Sequence, residues 1–227
     1  MSSVARLFHP VLKLLLYLIY QPLAFTYDWV ASAVSLGRWK KWVFTIIPRL
    51  HGNVILEIGH GPGHLQRAMA LNEYKPYGID ISRQMVKIAR RRLEKQSISI
   101  RLSRASAEAL PFASQRFDTV AMTNPAEYIV SESALSEFHR VLKMDGVLIS
   151  LLGGWITGTS LFERLFAYIT HITGAMPKPD AGFNPLLDRF KHAGFIPEII
   201  WMNLPGSTLL YLRAVKIHPI PKKSTTQ

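Results

Sequence analysis

The order of apolar runs predicts an α/β fold: a mostly parallel sheet of seven strands, helices on both faces, and an antiparallel last strand. Three observations carry this reading. Short apolar runs alternate with helical patterns from Asn53 to Leu152, and such alternation gives parallel strands joined by crossover helices. The runs Pro197 to Met202 and Leu209 to Val215 are separated by only a short turn, so they pair antiparallel. Hydrophobic residues make up 48% of 227, enough for one domain with a real core and too many for a disordered chain.

Each element has a local signature. Asn53 to Ile58 is a short apolar run followed by the glycine loop Gly59-His60-Gly61-Pro62-Gly63, and His64 to Leu71 then reads as a helix. Tyr77 to Asp80 is a second strand ending in a carboxylate. Ser82 can cap a helix over Arg83 to Lys95, with Met85, Ile88, Ala89 and Leu93 on one face. Ile98 to Leu102 reads as a third strand, broken by Leu110-Pro111-Phe112, and Phe117 to Met122 as a fourth. Glu132 to Leu142 is helical, and Asp145-Gly146 turns into a fifth strand, Val147 to Leu152. Pro185 to His192 is a helix stopped by Gly194. The expected organisation is an N-terminal helical cap over residues 1–50, a catalytic-type domain over 51–218 with an apolar lid at 153–182, and a basic tail at 219–227.

Composition excludes several classes. There is no cysteine, so disulfides, cysteine–zinc sites, iron–sulfur clusters and thiol nucleophiles are absent. No histidine pair has metal-ligand spacing, and no metal is expected. The net charge of +12 favours an anionic partner without choosing one. Val11 to Tyr20 is the most apolar segment, but Pro10 and Pro22 bracket only eleven residues, about half of what a spanning helix needs. Polar Gln21 and Asp28 separate it from Ala31-Ser32-Ala33, against a cleaved signal. The cluster Arg38, Trp39, Lys40, Lys41, Trp42 fits either an interfacial helix or a cap with its tryptophans in the core.

A strand, a glycine-rich turn and a helix suit a ligand that must touch backbone. Gly59, Gly61 and Gly63 allow close approach, and the helix N-terminus favours an anion. The dinucleotide fingerprint fails because His64 occupies its third glycine position, and the Gly-Lys-Ser/Thr of a phosphate-binding loop is missing.

What remains is E-x-G-x-G-x-G from Glu57 to Gly63, with Gly78-Ile79-Asp80-Ile81-Ser82, Ala107 to Phe112, Phe117-Asp118, and Phe138 to Lys143 followed by Asp145-Gly146-Val147. In order and spacing these segments resemble the class I S-adenosylmethionine-dependent methyltransferases, in the ubiquinone/menaquinone-biosynthesis-like (methyltransferase type 11) branch. The resemblance implies a Rossmann-like fold and S-adenosyl-L-methionine as cofactor. It assigns the donor's amino-acid end to Gly59, His60 and Gly61, with Glu57 behind them, and counts Gly63 in the same cofactor-binding set. It assigns the ribose hydroxyls to Asp80, the adenine face to Ile81, and the adenine edge to Ser106, Ala107 and Glu108. Ser106 stands where relatives carry aspartate, His60 is an unusual loop residue, and Met144 replaces a proline.

The fourth strand runs into Thr123-Asn124-Pro125-Ala126-Glu127-Tyr128, which faces the transferred methyl in this fold. Asn124 joins the donor-site set, and Glu127 and Tyr128 are candidate catalytic residues. The Asn-Pro start is a partial match to amine methyltransferases of nucleic acid and protein, with Ala126 in place of the second proline. Trp155, Leu161, Phe162, Phe166 and Met176 make the 153–182 connection greasy, as a packed helix or as a lid. The expected activity is methyl transfer to a hydrophobic small molecule or lipid-like acceptor, in a cytoplasmic protein with peripheral contact on anionic membrane. Amine transfer to nucleic acid or protein is the second reading. A non-catalytic membrane-surface protein of the same fold is the third.

Overall fold

The computed structural model describes residue 32 and residues 35–158 and 182–217. The N-terminal apolar segment, most of the expected lid (residues 159–181) and the basic tail lie outside the described residues. Seven strands form one sheet: β1 (Val54–Ile58), β2 (Lys75–Asp80), β3 (Leu102–Arg104), β4 (Phe117–Thr123), β5 (Leu142–Ile156), β6 (Phe195–Leu204) and β7 (Ser207–Lys216). Their order is β3-β2-β1-β4-β5-β7-β6. The first five are parallel, and β7 runs antiparallel to both β5 and β6, as expected.

The helices are α1 (Trp39–Phe44), α2 (His64–Leu71), α3 (Arg83–Glu94), α4 (Glu132–Val141) and α5 (Asn184–His192). Alternation along the strands sorts the core into two layers. Leu56, Ile58, Val120, Met122, Leu148 and Leu212 face Phe138 of α4 and Phe190 of α5. On the other face, Ile55, Ala121, Ile149, Leu151 and Tyr211 share one layer with Trp42, Ile46, and Leu65 and Met69 of α2. Trp42 is therefore a core residue. Gly154 makes room for it, since a Cβ there would lie 2.6 Å from the Trp42 ring.

Two elements differ from the sequence expectation. The third strand pairs only at Leu102–Arg104, opposite Gly78–Asp80. Ile98 and Ile100 instead pack sideways on Ala89, Leu93 and Leu102, so their apolar alternation is used without ladder pairing. The fifth strand is far longer than expected. It starts at Leu142 and passes through an irregularity at Lys143–Gly146, with Asp145 at φ 60°. It then continues through Gly153–Ile156, so the first residues assigned to the lid belong to the sheet.

Strand order reverses between β1 and β4, and the crevice beyond their C-terminal ends is where open α/β sheets bind ligands. One clamp holds those strands together, and a second holds the segment before β4 to α4. Asp118 at the start of β4 accepts from the Asn53 and Val54 N–H groups (3.0 and 2.8 Å) and pairs with Lys143 Nζ at 2.6 Å. Arg140 of α4 donates to the carbonyls of Phe112 (2.7 Å) and Leu110 (3.0 Å), while Glu137 accepts from Leu110 N–H at 2.6 Å. The second clamp fixes the segment that carries Ser106, Ala107 and Glu108.

Candidate functional site

A cavity of about 600 Å³ lies at the reversal point. Of the site residues expected from sequence, Glu57, Gly59, His60, Gly61, Asp80, Ile81, Ser106, Ala107, Glu108, Asn124, Glu127 and Tyr128 all line it. Gly63 does not. It caps α2 at φ 81°, and a Cβ there would sit 2.8 Å from Ala89 Cβ. Its glycine serves the close approach of α2 and α3, not ligand contact.

The loop is held from below by backbone and from the side by one carboxylate. Gly59 and His60 N–H groups both donate to the Ile79 carbonyl (2.8 and 3.1 Å). Gly61 N–H donates to Asp80 Oδ2 at 2.9 Å, and Ser82 N–H donates to Asp80 Oδ1 at 2.8 Å. Each Asp80 oxygen keeps a second lone pair, so the carboxylate is oriented yet able to accept two more hydrogen bonds. Gly59 and Gly61 have φ of 68° and 51°, where a side chain is strained. A Cβ at Gly61 would meet nothing within 4 Å, and one at Gly59 would lie 3.3 Å from the Tyr128 hydroxyl oxygen. The loop thus presents bare backbone to the cavity, with Tyr128 across from it.

Behind the loop lies a buried polar cluster. Glu57 is 2% exposed, and Gln66 Nε2 donates to its Oε2 at 2.8 Å and to the Tyr77 carbonyl at 3.1 Å. Burial pushes the Glu57 carboxyl up to about 8, nearby Asp80 adds to this, and the Gln66 hydrogen bond opposes it. Glu57 is therefore mostly protonated at neutral pH. The His60 ring is buried too, and burial lowers its pKa against the pull of Asp80. Its Nδ1 lies 2.7 Å from the Gly61 carbonyl oxygen, so Nδ1 carries the proton. Its Nε2 is buried with no partner among the described residues. The ring fits because residue 78 is glycine: a Cβ there would be 3.0 Å from His60 Cδ2 and 2.9 Å from Gln66 Nε2. His60 thus meets the cavity as a loop residue whose ring turns inward to brace its own loop.

On the other rim, Ser106 Oγ accepts from Glu108 N–H at 3.2 Å, which spends part of its acceptor capacity locally. Glu108 accepts from Ser131 Oγ at 2.6 Å. Ile81 is 63% exposed although it is a large apolar residue, and it stands at the cavity edge. Asn124 leaves β4 at φ 51° and donates its N–H to the Leu151 carbonyl at 2.7 Å. Asparagine tolerates this left-handed geometry, so the Asn124-Pro125 pair is explained by the chain's exit from the sheet. Sequence reasoning missed Val43 and Leu65, which line the cavity together with Trp39 of the expected N-terminal cap. Trp39 and Val43 come from α1, and only its position in the fold marks them as cavity residues.

The arrangement fits a ligand with a hydroxylated ring and a flat apolar face. Asp80 can accept from hydroxyls, Ile81 offers an apolar surface, and the loop offers backbone. Among the described residues no group of side chains could hold a metal ion, and no helix is long and apolar enough to cross a membrane.

Comparisons with known proteins agree. Residues 55–146 match the family described as a methyltransferase domain. The chain is 26% identical over 229 residues to demethylmenaquinone methyltransferase of Symbiobacterium thermophilum, covering 86% of this chain and 90% of that one. It is 30% identical over 157 residues to the ubiquinone/menaquinone biosynthesis C-methyltransferase UbiE of Neisseria meningitidis, covering 66% of this chain and 59% of that one. Among solved structures, YcgJ of Bacillus subtilis superposes with a TM-score of 0.57 at 18% identity, covering 79% of this chain and 99% of that one. Phosphoethanolamine N-methyltransferase 2 of Haemonchus contortus also gives 0.57 at 18% identity, covering 80% of this chain and 53% of that one. At such identity these structures speak to the fold alone.

Proposed function

We propose that this chain, a class I S-adenosylmethionine-dependent methyltransferase, delivers the methyl group to a hydrophobic, quinone-like acceptor. The observation that carries the acceptor class is the shared cavity. Trp39 and Val43 of α1 and Leu65 of α2 line the same space as the glycine loop and Asp80. Apolar side chains thus close over a cradle built for a polar donor. The names of the similar proteins, demethylmenaquinone and ubiquinone/menaquinone methyltransferases, point the same way.

When bound, the donor supplies an electrophilic methyl on a sulfonium. The protein's own part is placement and exclusion of water, which can account for much of the acceleration in such a transfer. In this reading Asp80 holds the ribose hydroxyls with its two remaining lone pairs. Ile81 and Ala107 enclose the adenine, beside Ser106 and Glu108. The bare backbone of Gly59 and Gly61 receives the amino-acid end, with Glu57 behind it. Asn124, Glu127 and Tyr128 bound the space where the acceptor meets the methyl. Tyr128, whose hydroxyl stands across from Gly59, is the better placed to orient an acceptor oxygen. In the same reading the protein makes peripheral contact with an anionic membrane.

The test is transfer of labelled methyl from S-adenosylmethionine to a short-chain demethylated quinol in detergent, beside duplex DNA and a mixed protein substrate. Label in the quinol alone supports the reading. Label in nucleic acid or protein would replace it with amine transfer.

A further inference from the structure

Helix α3 has two unlike faces. Met85, Ala89 and Leu93 are buried, while Arg83, Lys87, Arg90 and Arg91 are exposed. These four fall at i, i+4, i+7 and i+8, one stripe of a helix. Glu94 is the only acidic residue of the helix, and none of the four basic groups is ion-paired to a described residue. Arg83 with Lys87, and Lys87 with Arg91, are like charges at i, i+4, which weaken a helix. Arg91 in the last turn complements the helix dipole, but helix stability gives no reason for Arg83 and Lys87.

Its position gives one. α3 starts two residues after Ile81, the exposed apolar side chain at the cavity edge. Arg104 at the end of β3 donates its Nε to the Ile81 carbonyl at 3.0 Å, and its side chain is exposed. An apolar tip is thus bracketed by Arg83 and Arg104, with more positive charge along the helix behind it.

We propose that this stripe, together with Arg104, is a docking surface for an anionic phospholipid bilayer. Basic groups near an anionic leaflet each strengthen binding about fivefold. Charge alone would serve nucleic acid equally. The lipid is chosen because the stripe begins next to Ile81 and Ser82 of the cavity lining, so an acceptor that dissolves in the bilayer would reach the cavity from there; this reason rests on the acceptor reading above.

The test is sedimentation of the full chain with vesicles of phosphatidylcholine mixed with phosphatidylglycerol, and with phosphatidylcholine alone. Binding should require the anionic lipid and fall with added salt, since exposed charges are screened over about 8 Å at physiological ionic strength. The variant Arg83→Gln/Lys87→Gln/Arg90→Gln/Arg91→Gln should bind at least about a hundredfold more weakly. The matched change Lys40→Gln/Lys41→Gln on α1 should bind as wild type. If the fourfold variant does not fold, Arg83→Gln/Lys87→Gln should still show a loss of about twenty-fivefold. The proposal is overturned if the wild-type chain ignores anionic vesicles or if the α3 variants bind them normally. It is equally overturned if the α1 change abolishes binding instead, or if duplex DNA or RNA is preferred to the vesicles. Transfer to a detergent-solubilised acceptor is measured alongside. Its failure would remove the acceptor reading and leave the vesicle result standing.

Discussion

Gly61 and Asp80 are joined by a 2.9 Å hydrogen bond from the loop N–H to carboxylate Oδ2. The bond ties the glycine loop after β1 to the carboxylate that ends β2. One residue thus does two jobs: it shapes the loop and presents lone pairs to the cavity. Removing Asp80 should therefore harm donor binding twice. Asp80→Ala is expected to weaken S-adenosylmethionine binding by about 1.5–3 kcal/mol, the scale of hydrogen bonds to a charged group. Calorimetry on the folded variant checks this, and unchanged affinity would dissociate Asp80 from the donor.

Glu57 makes stability depend on pH. Its folded pKa is about 8 against an ordinary 4.5. Between those values the native state holds a proton that the unfolded chain has released, so stability falls as pH rises through this window. Urea unfolding at pH values below, within and above it should show the decline. Glu57→Gln, which cannot ionise, should flatten it. A Glu57→Gln curve parallel to wild type would mean the carboxyl is not held protonated.

Gly63 separates a packing role from a binding role. Gly63→Ala places a Cβ 2.8 Å from Ala89 Cβ at a φ of 81°. Overpacking of this kind costs about 1–3 kcal/mol. Thermal melting should reveal the loss, while donor affinity below the melting range should change little because Gly63 stands outside the cavity.

The Arg140 clamp should matter to the rim it supports. Arg140→Ala leaves the Leu110 and Phe112 carbonyls without that donor and Glu137 without its ion pair. The expected destabilisation is about 1–3 kcal/mol, the cost of leaving such groups unsatisfied. Donor affinity should drop as well, because Ala107 and Glu108 lie on the same segment. Arg140→Lys should recover only part of it, lacking the planar fork.

Much of this was legible in the sequence because the signals are local. The glycine loop, the Ser82 cap, whose Oγ accepts from Met85 N–H at 3.3 Å, and the carboxylate ending β2 are set by neighbours within a few residues. The third strand was misplaced because Ile98 and Ile100 have strand-like alternation but pack against α3, which only the fold decides. Gly63 looked like a ligand glycine because its partner, Ala89, is a helix away. His60 could be named as a loop residue, yet its inward ring depends on the empty place at Gly78. Trp39 and Trp42 carried opposite fates three residues apart: one faces the cavity and the other is buried in the core. No composition argument separates them.

The central claim is that one cavity brings S-adenosylmethionine to a hydrophobic acceptor. Its most direct test is to incubate the purified chain with methyl-labelled donor and a cell extract, then partition the products between organic and aqueous phases. The account predicts label in the organic phase, lost with Asp80→Ala and reduced with Trp39→Ala more than donor binding is. Label confined to protein or nucleic acid, or no transfer by a chain that binds the donor, would contradict it.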